Sequence, residues 1–485
     1  RLLCDIIRGV KAAVGSGVPV WPRLDSQHFL IDGGITVEDA AATARFAEAA
    51  GADAIHVSAD GHPGRGATYS TGHATDIPNN FVAAAARIKA GLSIPVICPG
   101  RIEPVDADRF IAEGKLDFVT MGRKLLADPH LPRKLAEGRP ETVRPCIYCY
   151  TCISQIFFNR PVKCAVNPET GFELERTLPP AAIRKHVAVI GGGPAGMETA
   201  RRLAQRGHKV TLIEATGRLG GTAQFASIAY KPNQGIVDWL KREVRSGNVK
   251  VRLNTRATPE LLRDIDADEI VVATGARREM PAIPGSDRAN VYSGDDMRRL
   301  MLGQDLATLT GKTGWYTRAA MKAGAVTGLT KKLGFVREAS KWWMPFGKRI
   351  AIIGGELVGL ELAEFLAKRG RKVIVLDDAA KFGAGLQVVR RWRVLDELKE
   401  LGVTLLPEAN EIAIGDHRVS YRNALGQIRT IAADDIIVAK GATSDTGLAD
   451  QLRAEGFVVH VAGDCTGVGY IEGAMHDAAQ IAEVI

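Results

Sequence analysis

The first 140 residues alternate short β-rich runs with alanine-rich stretches of helical period. Residues 18–24, 54–57, 95–98 and 118–121 read as strands, and 36–50 and 79–90 as helices, each followed by a glycine stop signal. Strand–helix–strand repetition at this spacing predicts a parallel sheet of four strands, because parallel neighbours need a crossover helix. Residues 141–180 break the pattern with cysteines and prolines, and read as a linker that carries a site. From His186 a strand runs into Gly191-Gly192-Gly193-Pro194-Ala195-Gly196, then a helix, then a strand ending at Glu214. A second copy begins at Ile350, passes Gly354-Gly355-Glu356-Leu357-Val358-Gly359 and ends at Asp377. Two such units, about 160 residues apart, predict two nucleotide-binding domains.

A chain of 485 residues is too long for one hydrophobic core. With 46% hydrophobic and 24% charged residues it is neither disordered nor collagen-like. Its net charge of +8 suits anionic ligands such as nucleotides and is weak evidence for nucleic acid, which is not expected as a partner. No run approaches the ~20 apolar residues of a membrane span, and no signal peptide opens the chain. Seven cysteines, four of them within residues 146–164, are not a secreted disulfide framework. They fit a reduced, cytoplasmic compartment and a metal centre. Residues 300–347 are basic and aromatic and read as a surface helical insertion, with a partner or membrane-surface patch as the alternative.

In the first fingerprint Gly191 permits a tight turn, Gly193 lets backbone approach a pyrophosphate, and Gly196 lets helix and strand pack closely. The helix N-terminus stabilises phosphate charge, and Glu214 suits a ribose hydroxyl pair. The second fingerprint departs from this pattern. Glu356 replaces the middle glycine, where a carboxylate pointing inward would repel a pyrophosphate. Gly354, Gly359 and Asp377 remain in place, and an acid at 377 disfavours a 2′-phosphate, so for a nicotinamide nucleotide NADH is expected over NADPH, with a remnant domain that holds no nucleotide as the alternative. The spacing Cys146-x2-Cys149-x2-Cys152-x11-Cys164, three close thiols and one more remote, fits a [4Fe–4S] cluster, with a structural zinc site as the alternative.

Val271-Val272-Ala273-Thr274-Gly275 and Val461-Ala462-Gly463-Asp464 resemble the closing segments of the two-dinucleotide flavoprotein disulfide-reductase fold. That resemblance implies FAD in a domain formed by 184–290 and 440–485, with Gly221, Gly463 and Asp464 at the flavin, and a nicotinamide nucleotide in 291–439. The cysteine run, Cys164-Ala-Val-Asn-Pro168 and Met121-Gly-Arg-Lys-Leu-Leu-Ala-Asp-Pro129 together resemble the 2,4-dienoyl-CoA reductase and enoate reductase group. This group belongs to the old yellow enzyme superfamily and is related to trimethylamine dehydrogenase. The resemblance implies an α/β chain in three parts: the C-terminal half of an FMN-binding (β/α)8 barrel in 1–140, a [4Fe–4S] segment in 141–183, and a Rossmann-like reductase module. It places Arg23 near the flavin N1 and the FMN phosphate at Gly100, Arg101, Gly122 and Arg123. It offers His62 as the residue that assists proton delivery; His56 and His73 are poorer candidates.

The expected activity is reduction of the C=C bond of an enoyl-CoA or enoate by NADH through FAD, the cluster and FMN. A demethylating amine dehydrogenase that passes electrons to a partner protein is the second reading, disfavoured by Ile156 where that branch carries tryptophan. A non-enzymatic electron-transfer subunit is the third. With four strands where the family has eight, and Arg1 as its first residue, the sequence reads as a fragment. The small-molecule partner expected is an unsaturated acyl compound; the oligomeric state stays open, a homo-oligomer included.

Overall fold

The computed structural model describes residues 1–29, 31–61, 77–303 and 305–485, so His62 and His73 lie outside the described residues. The chain forms two compact units, Arg1–Leu125 and Leu126–Ile485.

In the first unit four parallel strands, Arg23–Phe29, Ile55–Gly61, Val96–Cys98 and Phe118–Val119, pair in chain order. Helices Val37–Ala49, Val82–Lys89 and Pro104–Ala112 cross between them, the layering of a β/α barrel wall. The first strand starts later than residue 18 because Pro19 and Pro22 have no N–H for a ladder. The carbonyls of Val20 and Pro22 still accept from Asp53 and His56, at 2.8 and 3.0 Å. The next helix begins as its sequence predicts. The Thr36 side chain accepts from the Asp39 N–H while Asp39 accepts from the Thr36 N–H, a capping box. Ala40, Ala44 and Ala47 face the sheet, where short side chains let the helix pack against Ile55, Val57 and Val96.

The second unit contains two five-stranded parallel sheets. One runs in the order Val459–Val461, Glu269–Val272, His186–Ile190, Lys209–Ile213, Val249–Arg252. The other runs Val291–Ser293, Asp435–Val438, Arg349–Ile353, Lys372–Leu376, Thr404–Leu406. All five residues of His186–Ile190 are buried, the continuous apolar run expected of a strand covered on both faces. Helices Pro194–Gln205, Pro232–Ser246 and Tyr470–Val484 supply Met197, Leu203, Trp239, Leu240 and Met475 to the core against that sheet. In each sheet the central strand ends in its glycine loop at the point where strand order reverses, the usual ligand crevice of open α/β sheets. The basic, aromatic stretch forms helices Trp315–Val326 and Leu333–Trp342. Leu333, Val336, Met344 and Phe346 join the second core, while Trp315 and Trp342 are exposed.

No helix among the described residues is long and apolar enough to cross a membrane.

Candidate flavin and thiol site

Gly191 turns at φ 110°, and a Cβ there would stand 2.7 Å from the Ala273 carbonyl carbon. A Cβ on Gly196 would overlap the Gly191 carbonyl oxygen. These two positions are closed by protein. Gly193, at the N-cap of Pro194–Gln205, is different: nothing lies within 4 Å of its Cβ direction. The loop therefore leaves open space where a pyrophosphate would meet the helix N-terminus, and the site fits a dinucleotide. Gly221 lies beside it, its Cβ direction 3.0 Å from the Gly193 Cα, and Gly463 backs onto Ala195 at the start of the same helix. Glu214 Oε2 accepts from the Gly192 N–H at 2.7 Å, and Oε1 from the Thr216 N–H at 2.7 Å. Asp464 Oδ1 accepts from the Gly469 and Tyr470 N–H groups, at 2.9 and 3.1 Å, and burial pushes its carboxyl up against those bonds. Glu214, Gly221 and Gly463 meet this one loop, and Asp464 follows Gly463 in the chain.

The second loop repeats the construction. A Cβ on Gly359 would overlap the Gly354 carbonyl oxygen, and Asp377 Oδ2 accepts from the Gly355 N–H at 2.5 Å. Glu356 occupies the N-cap, exposed, with no side-chain capping bond. Lys440 stands 3.5 Å from Asp377 Oδ2 and 2.6 Å from Asp378 Oδ1. Burial works to lower the Lys440 ammonium, but the bond to Asp378 and the charge of Asp377 raise it. The acid at 377 thus has a cation beside it, which offsets part of its bias against a 2′-phosphate.

None of the four cysteines is in a disulfide; Cys164 is buried and the others half-buried. Tyr148 and Tyr150, on either side of Cys149, adopt left-handed φ of 52° and 65°. Each such residue costs on the order of 1–2 kcal/mol, and persists where surroundings hold it. Both tyrosines are buried and pack with Val389. The Tyr230 hydroxyl donates toward the Ile147 and Tyr148 carbonyls, at 3.1 and 3.2 Å. The Tyr148 N–H points at Cys146 Sγ, 3.4 Å away. Burial, reinforced by the nearby Cys149 and Cys146, pushes the Cys164 thiol up to about 12, so these three sulfurs are electrostatic neighbours. Among the described residues no three Cys, His, Asp or Glu side chains close into a metal's ligand shell. The all-thiol donor set, with a backbone N–H aimed at sulfur, has the chemistry of an iron–sulfur loop.

In the first unit Arg23 is exposed and pairs in register with His56. Burial, then the Arg23 charge, lowers the His56 imidazole. Gly100 and the left-handed Arg101 (φ 56°) follow the third strand, while Gly122 and Arg123 follow the fourth and open helix Gly122–Ala127. Lys124 and Glu103 pair at 2.5 Å and tie these two loops together.

Several residues at the cysteine loops carried no sequence signal, because their partners lie far along the chain. Glu472 accepts from the Thr151 hydroxyl at 3.1 Å, and His476 Nε2 lies 3.0 Å from the Cys164 carbonyl. Arg144 donates to Asn167 Oδ1 at 2.7 Å, joining the flanks of the two cysteine segments. Only its adjacency to Cys146 could have marked it.

Residues 185–462 match the pyridine nucleotide-disulphide oxidoreductase family, and residues 1–142 the NADH:flavin oxidoreductase / NADH oxidase family. The chain belongs to the flavin oxidoreductases that join these two modules, the old yellow enzyme and enoate reductase group, and it is an oxidoreductase. It is 31% identical over 497 residues to the NADH oxidase of Thermoanaerobacter brockii, covering 99% of this chain and 69% of that protein. It is 28% identical over 512 residues to the cinnamate reductase of Clostridium sporogenes, covering 100% and 69%. A solved 2-naphthoyl-CoA reductase complex matches at 28% identity with a TM-score of 0.84, covering 100% of this chain and 68% of that one.

Proposed function

We propose that this chain acts in NADH-dependent reduction of the C=C bond of an enoyl thioester or enoate, in the cytoplasm. FMN would be held in the first unit, FAD by 184–290 and 440–485, the nicotinamide nucleotide by 291–439, and an iron–sulfur centre by Cys146, Cys149, Cys152 and Cys164. The observation that carries this reading is the C-terminal helix Tyr470–Val484. It leaves the Gly463–Asp464 corner and meets both cysteine loops through Glu472 and His476, so a flavin-type pocket and a thiol set share one stiff element.

When bound, the flavins supply hydride chemistry and the iron–sulfur centre one-electron transfer. The chain's part is to hold and to tune. The first-turn N–H groups after Gly193 would hold the dinucleotide phosphates. Glu214 spends one lone pair per oxygen on backbone and keeps others for ribose hydroxyls. With FMN bound, Arg23 would supply a positive charge to its ring, and Gly100, Arg101, Gly122 and Arg123 would offer N–H groups and guanidinium to its phosphate. His62, which lies outside the described residues, would assist proton delivery to the substrate. The names of two relatives, cinnamate reductase and 2-naphthoyl-CoA reductase, support aryl-substituted acyl substrates as the class to try first.

The test is anaerobic absorbance of the purified protein. NADH should bleach the flavin, and an aryl enoate or unsaturated aryl-CoA should restore it. Bleaching by a methylated amine with no response to NADH would reject the reductase reading in favour of a dehydrogenase.

A further inference from the structure

Glu472 and His476 lie four residues apart and so share one face of the C-terminal helix. Glu472 makes an ion pair with Lys163 through Oε1 and accepts at Oε2 from Thr151, at 3.1 Å, and from Gln387, at 3.3 Å. Thr151 Oγ1 is also 3.4 Å from Cys149 Sγ. A hydroxyl has a single proton to donate. While Cys149 is a thiol, the thiol donates to the Thr151 oxygen and the Thr151 proton goes to Glu472. Once Cys149 is a thiolate ligand its sulfur has no proton, and the Thr151 hydroxyl can serve either the sulfur or Glu472. The carboxylate, an acceptor only, forms the stronger charge-assisted bond.

We propose that Glu472 withholds the Thr151 hydroxyl from the Cys149 sulfur and in this way sets the reduction potential of the iron–sulfur centre. The proposal rests on the reading that the four cysteines hold such a centre. Hydrogen bonds to cluster sulfurs stabilise the more negative, reduced state and raise the potential. Glu472 is therefore a positioning residue: it acts through Thr151 and holds the centre at a lower potential than it would have with a free hydroxyl alongside. No contact of Glu472 with a thiol is needed.

The experiment compares full-length wild type with Glu472→Gln, Thr151→Val, Thr151→Ser and the Glu472→Gln variants combined with each Thr151 change. Iron and flavin are quantified first, and the potential of the centre is then read by redox titration followed by electron paramagnetic resonance. In Glu472→Gln the new amide donates to the Thr151 oxygen and frees the hydroxyl proton for sulfur, so the potential rises. Loss of the carboxylate's charge adds a rise of its own, which is the same whatever stands at 151. The expected result is that Thr151→Val alone leaves the potential near wild type. The rise in Glu472→Gln should then be cut when Val stands at 151 and restored when Ser does. An equal rise with Thr and with Val at 151 would overturn the proposal, since Glu472 would then act by charge alone. A fall in Thr151→Val would overturn it too, by showing that the hydroxyl already bonds the sulfur. Wild-type protein that binds flavin but holds no iron, even after anaerobic reconstitution, would instead defeat the reading of the cysteines on which the proposal stands.

Discussion

Set side by side, the two glycine loops of the larger unit pair residue for residue at a constant offset: Gly191 with Gly354, Gly192 with Gly355, Gly193 with Glu356, Gly196 with Gly359 and Glu214 with Asp377. The hydrogen bonds repeat as well. Each terminal acid accepts from the second glycine's N–H, and Gly220 and Gly383 donate to the carbonyls of Gly192 and Gly355, both at 2.7 Å. What differs is whatever faces outward from that frame. The first loop leaves open space at Gly193; the second places a carboxylate there.

The two following helices differ in a second way. Glu198 and Glu361 occupy equivalent positions; Glu198 is fully buried and Glu361 nearly so, its side chain 13% exposed. Burial would raise the Glu198 carboxyl, but Arg201, bonded to both its oxygens at 2.6 and 2.7 Å, and the nearby Arg144 and Arg202 bring it below the ordinary range. Glu361 has Arg390 no closer than 4.0 Å, so burial dominates and pushes it up to about 7. One framework thus holds one glutamate charged at all ordinary pH values and leaves the other poised near neutrality. The strand–loop–helix frame is set by the backbone, and its electrostatics by whatever side chains other elements bring to it.

Substitutions can break this comparison. The largest effect is expected at Glu198→Gln, which takes from buried Arg201 its carboxylate partner; removing one partner of a buried pair costs roughly 3–5 kcal/mol, and chemical denaturation should show a loss of that order or no folded protein. Glu361→Gln should do the opposite. An acid with a raised folded pKa binds more protons folded than unfolded between pH 4.5 and about 7, so stability falls as pH rises through that window and stays lower above it. The variant should be more stable than wild type at pH 8, by up to about 2–3 kcal/mol, and near equal to it at pH 4. For Glu198 the slope is reversed: its lowered folded pKa gives stability present above 4.5 and lost as pH falls through the folded value.

Smaller effects test the loops. Gly193→Glu, which makes the first loop resemble the second, should weaken FAD by at least about tenfold, or 1.4 kcal/mol, with little change in thermal stability, measured as flavin retained after gel filtration. Glu356→Gly should lower the KM for NADH several-fold, on the order of 0.5–1 kcal/mol, in steady-state assays, with FAD content unchanged.

The sequence disclosed the repeated frame well, because strand, glycine and acid signals are local. It placed four strands in the first unit, but the first runs over Arg23–Phe29 rather than 18–24, since Pro19 and Pro22 delay the ladder, and the second continues to Gly61 rather than stopping at 57. It could not disclose that Lys440 lies beside Asp377, that Arg390 is too far from Glu361 to hold it charged, or that Glu472 reaches Thr151. Those pairs are distant in the chain and are brought together only by packing. His62 lies outside the described residues, so its role stands on the resemblance alone.

The central claim is a division of labour: the first loop retains FAD, and the second admits NADH transiently past Glu356. The most direct measurement is anaerobic titration of purified protein with NADH after its flavin has been quantified. The account predicts that FAD co-purifies, that bound nicotinamide does not, and that one equivalent of NADH per FAD bleaches the flavin. Protein that retains NAD tightly while lacking FAD, or whose bound FAD ignores NADH, would contradict it.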